Sequence, residues 1–246
     1  MRTETIGSWT VRLAGGEDRE GGGDGPMVLL LHGYGAPGTD LVPLWRELAL
    51  PPAVRFAFPE APLALDSESL GLPPGYDARA FWDIDLLALQ LAVRKGQLEA
   101  IRRHVPPGLA DARAGLARVV AGLERHHGVD PSRLVIGGFS QGAMLACDYA
   151  FRSETPLAGL LVLSGMVLCE DDWTACLPNR EGLRVFQSHG LSDPLLPVEL
   201  GQRLRELMLD AGLEVEWVEF RGGHGIGAPV LEQLSAFLRR QLEAGA

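Results

Sequence analysis

Short apolar runs at 27–31, 54–58, 134–139, 158–164, 183–188 and 215–220 recur along the chain, with longer stretches between them. Such runs read as strands buried on both faces, because a strand with one wet face alternates apolar and polar residues. The stretches at 41–49, 111–127, 141–152, 198–212 and 229–242 repeat apolar residues at the helical period. Strands and helices in this alternation bury their apolar faces when the strands lie side by side and helices cover both faces. The pattern predicts an α/β fold with a mostly parallel central sheet and right-handed crossovers. Asp40 stands where it caps the first helix, while Pro197 and Pro229 fall in first turns, where a missing N–H costs nothing.

The 246 residues suit one sheet, so a single domain over 1–246 is expected, large enough to hold its core without disulfide or metal. Against 22 Lys+Arg stand 32 Asp+Glu, a formal charge of −10, and the arginines are dispersed. That balance repels phosphate backbones and anionic bilayers, which excludes nucleic acid and stable membrane association from the expected partners. Cys147, Cys169 and Cys176 have neither zinc-ligand nor CxxC spacing and read as reduced thiols. The start of the chain lacks a basic n-region and an apolar h-region, and no run approaches ~20 apolar residues, so a cytoplasmic location is expected.

Three segments depart from the alternation. Residues 8–13 alternate as an edge strand would, and 14–26, rich in Gly and acidic residues, form a hairpin-like loop. The third, 63–108, joins a Pro/Gly-rich stretch to the apolar run 84–105, in which Leu98, Ile101 and Val105 share a helical face before Pro106-Pro107-Gly108 ends it. An excursion of this size is either a cap over a site or an extra packing helix.

Chemistry enters at Gly138-Phe139-Ser140-Gln141-Gly142, a G-x-S-x-G pattern with a strand before it and a helix after it. In that setting Ser140 sits in a strained turn with its hydroxyl exposed, and the glycines on either side let strand and helix approach. A serine hydroxyl needs a base, and the base an orienting carboxylate. Only His189 and His224 follow Ser140 among the histidines. His224 lies in a loop after the last strand run, which makes it the base; Asp193, in Gly190-Leu191-Ser192-Asp193-Pro194, is the acid, and His189 a structural residue of the acid loop. Two N–H donors for the oxyanion come from the Gln141 backbone and from Tyr34, in His32-Gly33-Tyr34-Gly35 after the first apolar run.

Other polar residues read as structural. Met144, Cys147 and Asp148 pack behind Ser140, His126-His127 close a helix, and Asp83 and Asp85 are a capping or solvated pair. No HExxH, P-loop or GxGxxG occurs, so neither metal nor cofactor is expected.

The segments Leu31-His32-Gly33-Tyr34-Gly35, Gly137 to Gly142, Ser188 to Pro194 with Pro197-Val198, and Gly223-His224 resemble the phospholipase/carboxylesterase family of α/β-hydrolases, which includes acyl-protein thioesterases. Pro59-Glu60-Ala61-Pro62 and Arg79-Ala80-Phe81-Trp82-Asp83 are similar to two further stretches of that family. The resemblance implies the α/β-hydrolase fold and serine hydrolysis of carboxylic esters or thioesters, with Ser140, Asp193 and His224 as triad and Tyr34 and Gln141 as oxyanion donors. Trp82 resembles a pocket-side aromatic. Tyr34 replaces the usual Leu, Glu60 replaces Gln, and Phe81-Trp82 reverses the aromatic order.

The expected activity is hydrolysis of soluble small-molecule carboxylic esters through an acyl-enzyme. Thioesters or lysophospholipids are alternative substrates of the same mechanism, and a non-catalytic ligand-binding protein of this fold is the reading from another class. Leu87 and Leu91, apolar beyond what the sheet requires, are expected with Trp82 to line the acyl pocket. The sequence leaves a homodimer open.

Overall fold

The computed structural model describes residues 1–243. In chain order its strands are β1 (Arg2–Ile6), β2 (Trp9–Gly15), β3 (Met27–Leu31), β4 (Arg55–Pro59), the two-residue β5 (Leu63–Ala64) and β6 (Arg79–Ala80), β7 (Leu134–Phe139), β8 (Gly159–Leu163), β9 (Arg184–Gly190) and β10 (Glu214–Phe220). The helices are α1 (Leu44–Glu47), α2 (Leu86–Arg94), α3 (Leu98–Arg103), α4 (Leu109–His127), α5 (Gln141–Arg152), α6 (Glu170–Cys176), α7 (Val198–Asp210) and α8 (Ala228–Glu243).

Eight strands form one sheet in the order β1-β2-β4-β3-β7-β8-β9-β10. From β4 through β10 neighbours run parallel, while β2 is antiparallel to both β1 and β4. Alternate side chains of β3 enter opposite apolar layers. Met27, Leu29 and Leu31 join Leu116 and Val120 of α4, Leu145 of α5 and Leu204 of α7. Val28 and Leu30 join Leu44 of α1 with Val230, Leu234 and Phe237 of α8. Burial on both faces is why these strands are apolar throughout. Helix α5 lies deepest: every residue from Gln141 to Phe151 is buried.

Four local expectations are corrected. The edge strand is β1, not 8–13, which lies within β2 and pairs on both sides. The polar sequence RTETI conceals β1 because only Ile6 at its end is buried. The stretch 41–49 yields only α1, with Pro43 rather than Asp40 at the N-cap; proline cannot sit inside a helix without losing a hydrogen bond, so the helix begins after it. The run 84–105 splits into α2 and α3 because Gly96, at φ +67°, takes the left-handed turn that ends α2. Val105 lies beyond α3, exposed, and shares no face with Leu98 and Ile101. Helix α6 had no periodic signal, since only Glu170 and Trp173 of its seven residues are buried.

Candidate active site

Strand β7 ends at Phe139 and α5 begins at Gln141, which leaves Ser140 alone in the turn with φ 54° and ψ −116°. L-residues rarely adopt this backbone, so the surroundings must hold it. The Ser140 N–H donates to the Leu163 carbonyl of β8 at 2.9 Å, and its carbonyl accepts from the Met144 N–H at 3.1 Å. Both flanking glycines are sterically required: a Cβ at Gly138 would lie 2.4 Å, and at Gly142 2.1 Å, from the Leu31 carbonyl oxygen.

The loops after β9 and β10 bring acid and histidine together. His224 Nδ1–H donates to Asp193 Oδ2 at 2.6 Å, while Asp193 Oδ1 accepts the N–H groups of Leu195 and Leu196, each at 2.9 Å. Burial opposes ionisation of Asp193, but the His224 bond, those two N–H groups and, whenever the ring is protonated, the charge of His224 outweigh it and hold the carboxyl below its ordinary value. With Nδ1 committed as a donor, Nε2 of His224 is the proton acceptor, the tautomer a general base needs. The His224 ring lies 4.8 Å from the ring of Phe139, the residue before Ser140. Ser164 Oγ–H secures the histidine loop by donating to the Gly225 carbonyl at 2.9 Å. That anchor was not anticipated; its signal is a serine closing a buried strand before Gly165. His189 is fully buried, and its Nε2–H donates to the Leu196 carbonyl at 2.8 Å, so it shapes the acid loop.

The loop after β3 lies against Ser140. A Cβ at Gly33 would stand 3.4 Å from Ser140 Cβ and 3.2 Å from the Phe139 ring. His32 supports this loop: Nδ1–H donates to the Gly33 carbonyl at 2.9 Å, and Nε2 accepts the Ala61 N–H at 3.0 Å. Burial lowers the His32 pKa, which keeps the ring neutral in that role. Neither the Tyr34 nor the Gln141 N–H is engaged by an acceptor among the described residues.

The three expected pocket residues differ sharply in exposure. Trp82 is only 1% exposed and belongs to the core, where it would meet a Cβ at Gly108. Leu87 and Leu91 face solvent from α2, at 67% and 43% exposure. The other face of α2, Leu89, Ala92 and Val93, rests on the core, so helical geometry turns Leu87 and Leu91 outward. Asp85 caps α2 by accepting the Ala88 N–H, as a capping residue should. Asp83 does more, since it accepts the Tyr34 hydroxyl at 2.9 Å. Glu60 pairs with Arg12 at 2.7 Å and lies 3.6 Å from Arg79, contacts that its charge favours over those of a glutamine. Asp148 accepts from Arg113, Arg152 and the Trp173 indole, tying α4, α5 and α6 together. Burial pushes the Cys169 thiol up to about 12 and raises that of Cys147 as well, so neither is a competing nucleophile.

With serine, acid and histidine in that chain order, each at the carboxyl end of a parallel strand, the architecture is that of an α/β-hydrolase. The chain belongs to the phospholipase/carboxylesterase family, whose profile matches residues 113–242, and is a hydrolase by that membership. It is 29% identical over 226 residues to acyl-protein thioesterase 1 of Emericella nidulans, covering 88% of this chain and 90% of that protein. The Gibberella zeae acyl-protein thioesterase 1 is 28% identical over 225 residues, covering 87% and 90%. Among solved structures, esterase PE8 superposes with a TM-score of 0.70 at 27% identity, covering 94% of this chain and all of that one. A Bacillus cereus carboxylesterase, at 18% identity and a TM-score of 0.67 over 95% and 94% of the two chains, shares the fold.

Proposed function

We propose that the protein is a serine esterase that cleaves small carboxylic esters through an acyl-enzyme. The observation that carries this reading is the 2.6 Å bond between His224 and Asp193, beside a serine held at a strained strand-to-helix turn. Ser140 Oγ attacks the ester carbonyl while His224 Nε2 takes its proton. The N–H groups of Tyr34 and Gln141 receive the oxyanion, and His224 then protonates the departing alcohol. Water, deprotonated by the same imidazole, releases the acid. Each oxyanion donor contributes about 2.7–4 kcal/mol to such a transition state. No cofactor takes part in this scheme. Labelling by a fluorophosphonate, located by mass spectrometry, is expected at Ser140; labelling elsewhere, or none, would refute the assignment.

A thioester substrate is the second reading, supported by relatives that are named acyl-protein thioesterases. Both substrates pass through the same acyl-enzyme, so the ratio of kcat/KM for a p-nitrophenyl ester and an acyl thioester of equal chain length separates them.

In this reading the insertion 63–108 flanks the acyl group, and α2 presents Leu87 and Leu91 to it. Leu87→Ser or Leu91→Ser is expected to shift preference among C2, C4 and C8 esters by about tenfold. Because both side chains are exposed, Tm should stay within the small range of surface substitutions. Equal loss at every chain length with a lowered Tm would assign these residues to packing instead.

The substrate is dissolved rather than lipid-bound in this reading. No helix among the described residues is long and apolar enough to cross a membrane, and a charge of −10 disfavours anionic bilayers. The rate on a short-chain ester is expected to show no jump at the critical micelle concentration. A jump that Leu87→Ser abolishes would make α2 a lipid-docking element.

A further inference from the structure

The two expected oxyanion donors lie far apart in sequence, and their separation must be fixed to within a fraction of an ångström. Residues 79–83, together with the Asp83 side chain, bond to both of them. On one side the Gly35 N–H donates to the Arg79 carbonyl at 2.8 Å, and the Arg79 N–H donates to the Ala36 carbonyl at 3.2 Å. The Tyr34 hydroxyl donates to Asp83 Oδ1 at 2.9 Å. On the other side the Phe81 N–H donates to Gln141 Oε1 at 2.9 Å, and Gln141 Nε2–H donates to the Trp82 carbonyl at 2.7 Å. Gln141 is fully buried, so its side-chain amide spends both polar atoms on this one segment.

From this geometry we propose that residues 79–83 brace the oxyanion hole, with the Asp83 carboxylate and the Gln141 side chain as positioning groups and the Tyr34 hydroxyl as the strut that joins Asp83 to its own backbone donor. The inference rests on the serine-esterase reading. Core packing supports the brace: Phe81 makes tilted ring contacts with Trp9 and His32, at 5.4 and 5.2 Å between ring centres, and Trp82 is buried beside it. The aromatics therefore serve the site from behind, as the rigid backing of the strut. Burial and the Asp83 bond raise the Tyr34 pKa to about 12, which keeps its hydroxyl protonated and donating.

A brace acts on the transition state more than on substrate binding, which sets the test apart from a general structural role. Tyr34→Phe and Asp83→Ala are each expected to lower kcat about tenfold with KM within about twofold of wild type. The double variant should be no slower than either single one, because both remove the same strut. Asp83→Asn should restore the rate, since the amide oxygen still accepts both the Tyr34 hydroxyl and the Ile84 N–H that Asp83 Oδ1 accepts now. Gln141→Met, which keeps the backbone donor but removes two struts, should cost about 100-fold in kcat. The affinity for a boronic acid forming a tetrahedral adduct should fall in parallel with kcat/KM across the set. Unchanged kcat, a loss expressed in KM, or additive losses in the double variant would overturn the brace. Tyr34 and Asp83 are partly exposed, so these variants keep the test valid if Gln141→Met fails to fold. Fluorophosphonate labelling of the wild-type protein separates the two levels: no label on Ser140 sinks the esterase reading, whereas a labelled Ser140 with insensitive struts sinks only the brace.

Discussion

Ser140→Ala should leave the fold in place and reduce p-nitrophenyl ester hydrolysis by about 10⁵- to 10⁶-fold. Nucleophile, base and acid act as one unit, so removing the nucleophile costs about as much as removing all three. The strained turn is set by the backbone bond to Leu163 and by the glycines at 138 and 142, not by the serine hydroxyl. Alanine should therefore adopt it, with Tm close to wild type. Retention of more than a tenth of wild-type kcat would place the nucleophile elsewhere.

Asp193→Asn should cost about 10⁴-fold in kcat while preserving the loop. An amide oxygen can still accept the Leu195 and Leu196 N–H groups, but its NH₂ then faces His224 Nδ1. That donor forces the proton onto Nε2, where the ring can no longer accept one from serine. Asp148→Asn is the control, because Asp148 lies within the α4–α5–α6 contact and touches no part of the site. It should spare kcat and lower stability by about 2 kcal/mol through weakened charge-assisted bonds. If the two variants exchanged these effects, the acid assignment would fall. The stability of the two proteins carries its own sign. The folded Asp193 carboxyl titrates below its unfolded value. Its contribution is complete above the unfolded carboxylate pKa of about 3.9 and is lost as pH falls through the folded value. The Tm advantage of wild type over Asp193→Asn should therefore narrow below about pH 4.

The serine turn is legible in the sequence because it needs glycines at two fixed offsets, and Gly138 and Gly142 stand within contact of one carbonyl, that of Leu31. The central strands are legible because burial on both faces leaves no polar alternation. By contrast β1 is two-faced and polar, and α6 buries too few residues to show a period. The acid and histidine loops follow from chain order, yet Ser164, which anchors the histidine loop, bonds across 61 positions to a main-chain carbonyl that no motif records. The exposure of the expected pocket residues was hidden for a similar reason. An apolar run announces that residues pack, but not that Trp82, ahead of α2, is buried while the rotation of that short helix leaves Leu87 exposed. The Asp83 link to Tyr34 spans 49 positions between side chains whose spacing carries no period.

The sheet order also dictates when the molecule becomes able to act. Strands β3 and β7 are central and lead into Tyr34 and into Ser140-Gln141, whereas Asp193 and His224 follow β9 and β10, and β10 pairs within the sheet only with β9. Under the proposed mechanism a ribosome releases Ser140 well before His224, so a nascent chain with its middle already packed would hold a serine that cannot yet be activated. By the same geometry, loosening of the β9–β10 rim is expected to abolish activity while the central strands and α5 stay folded.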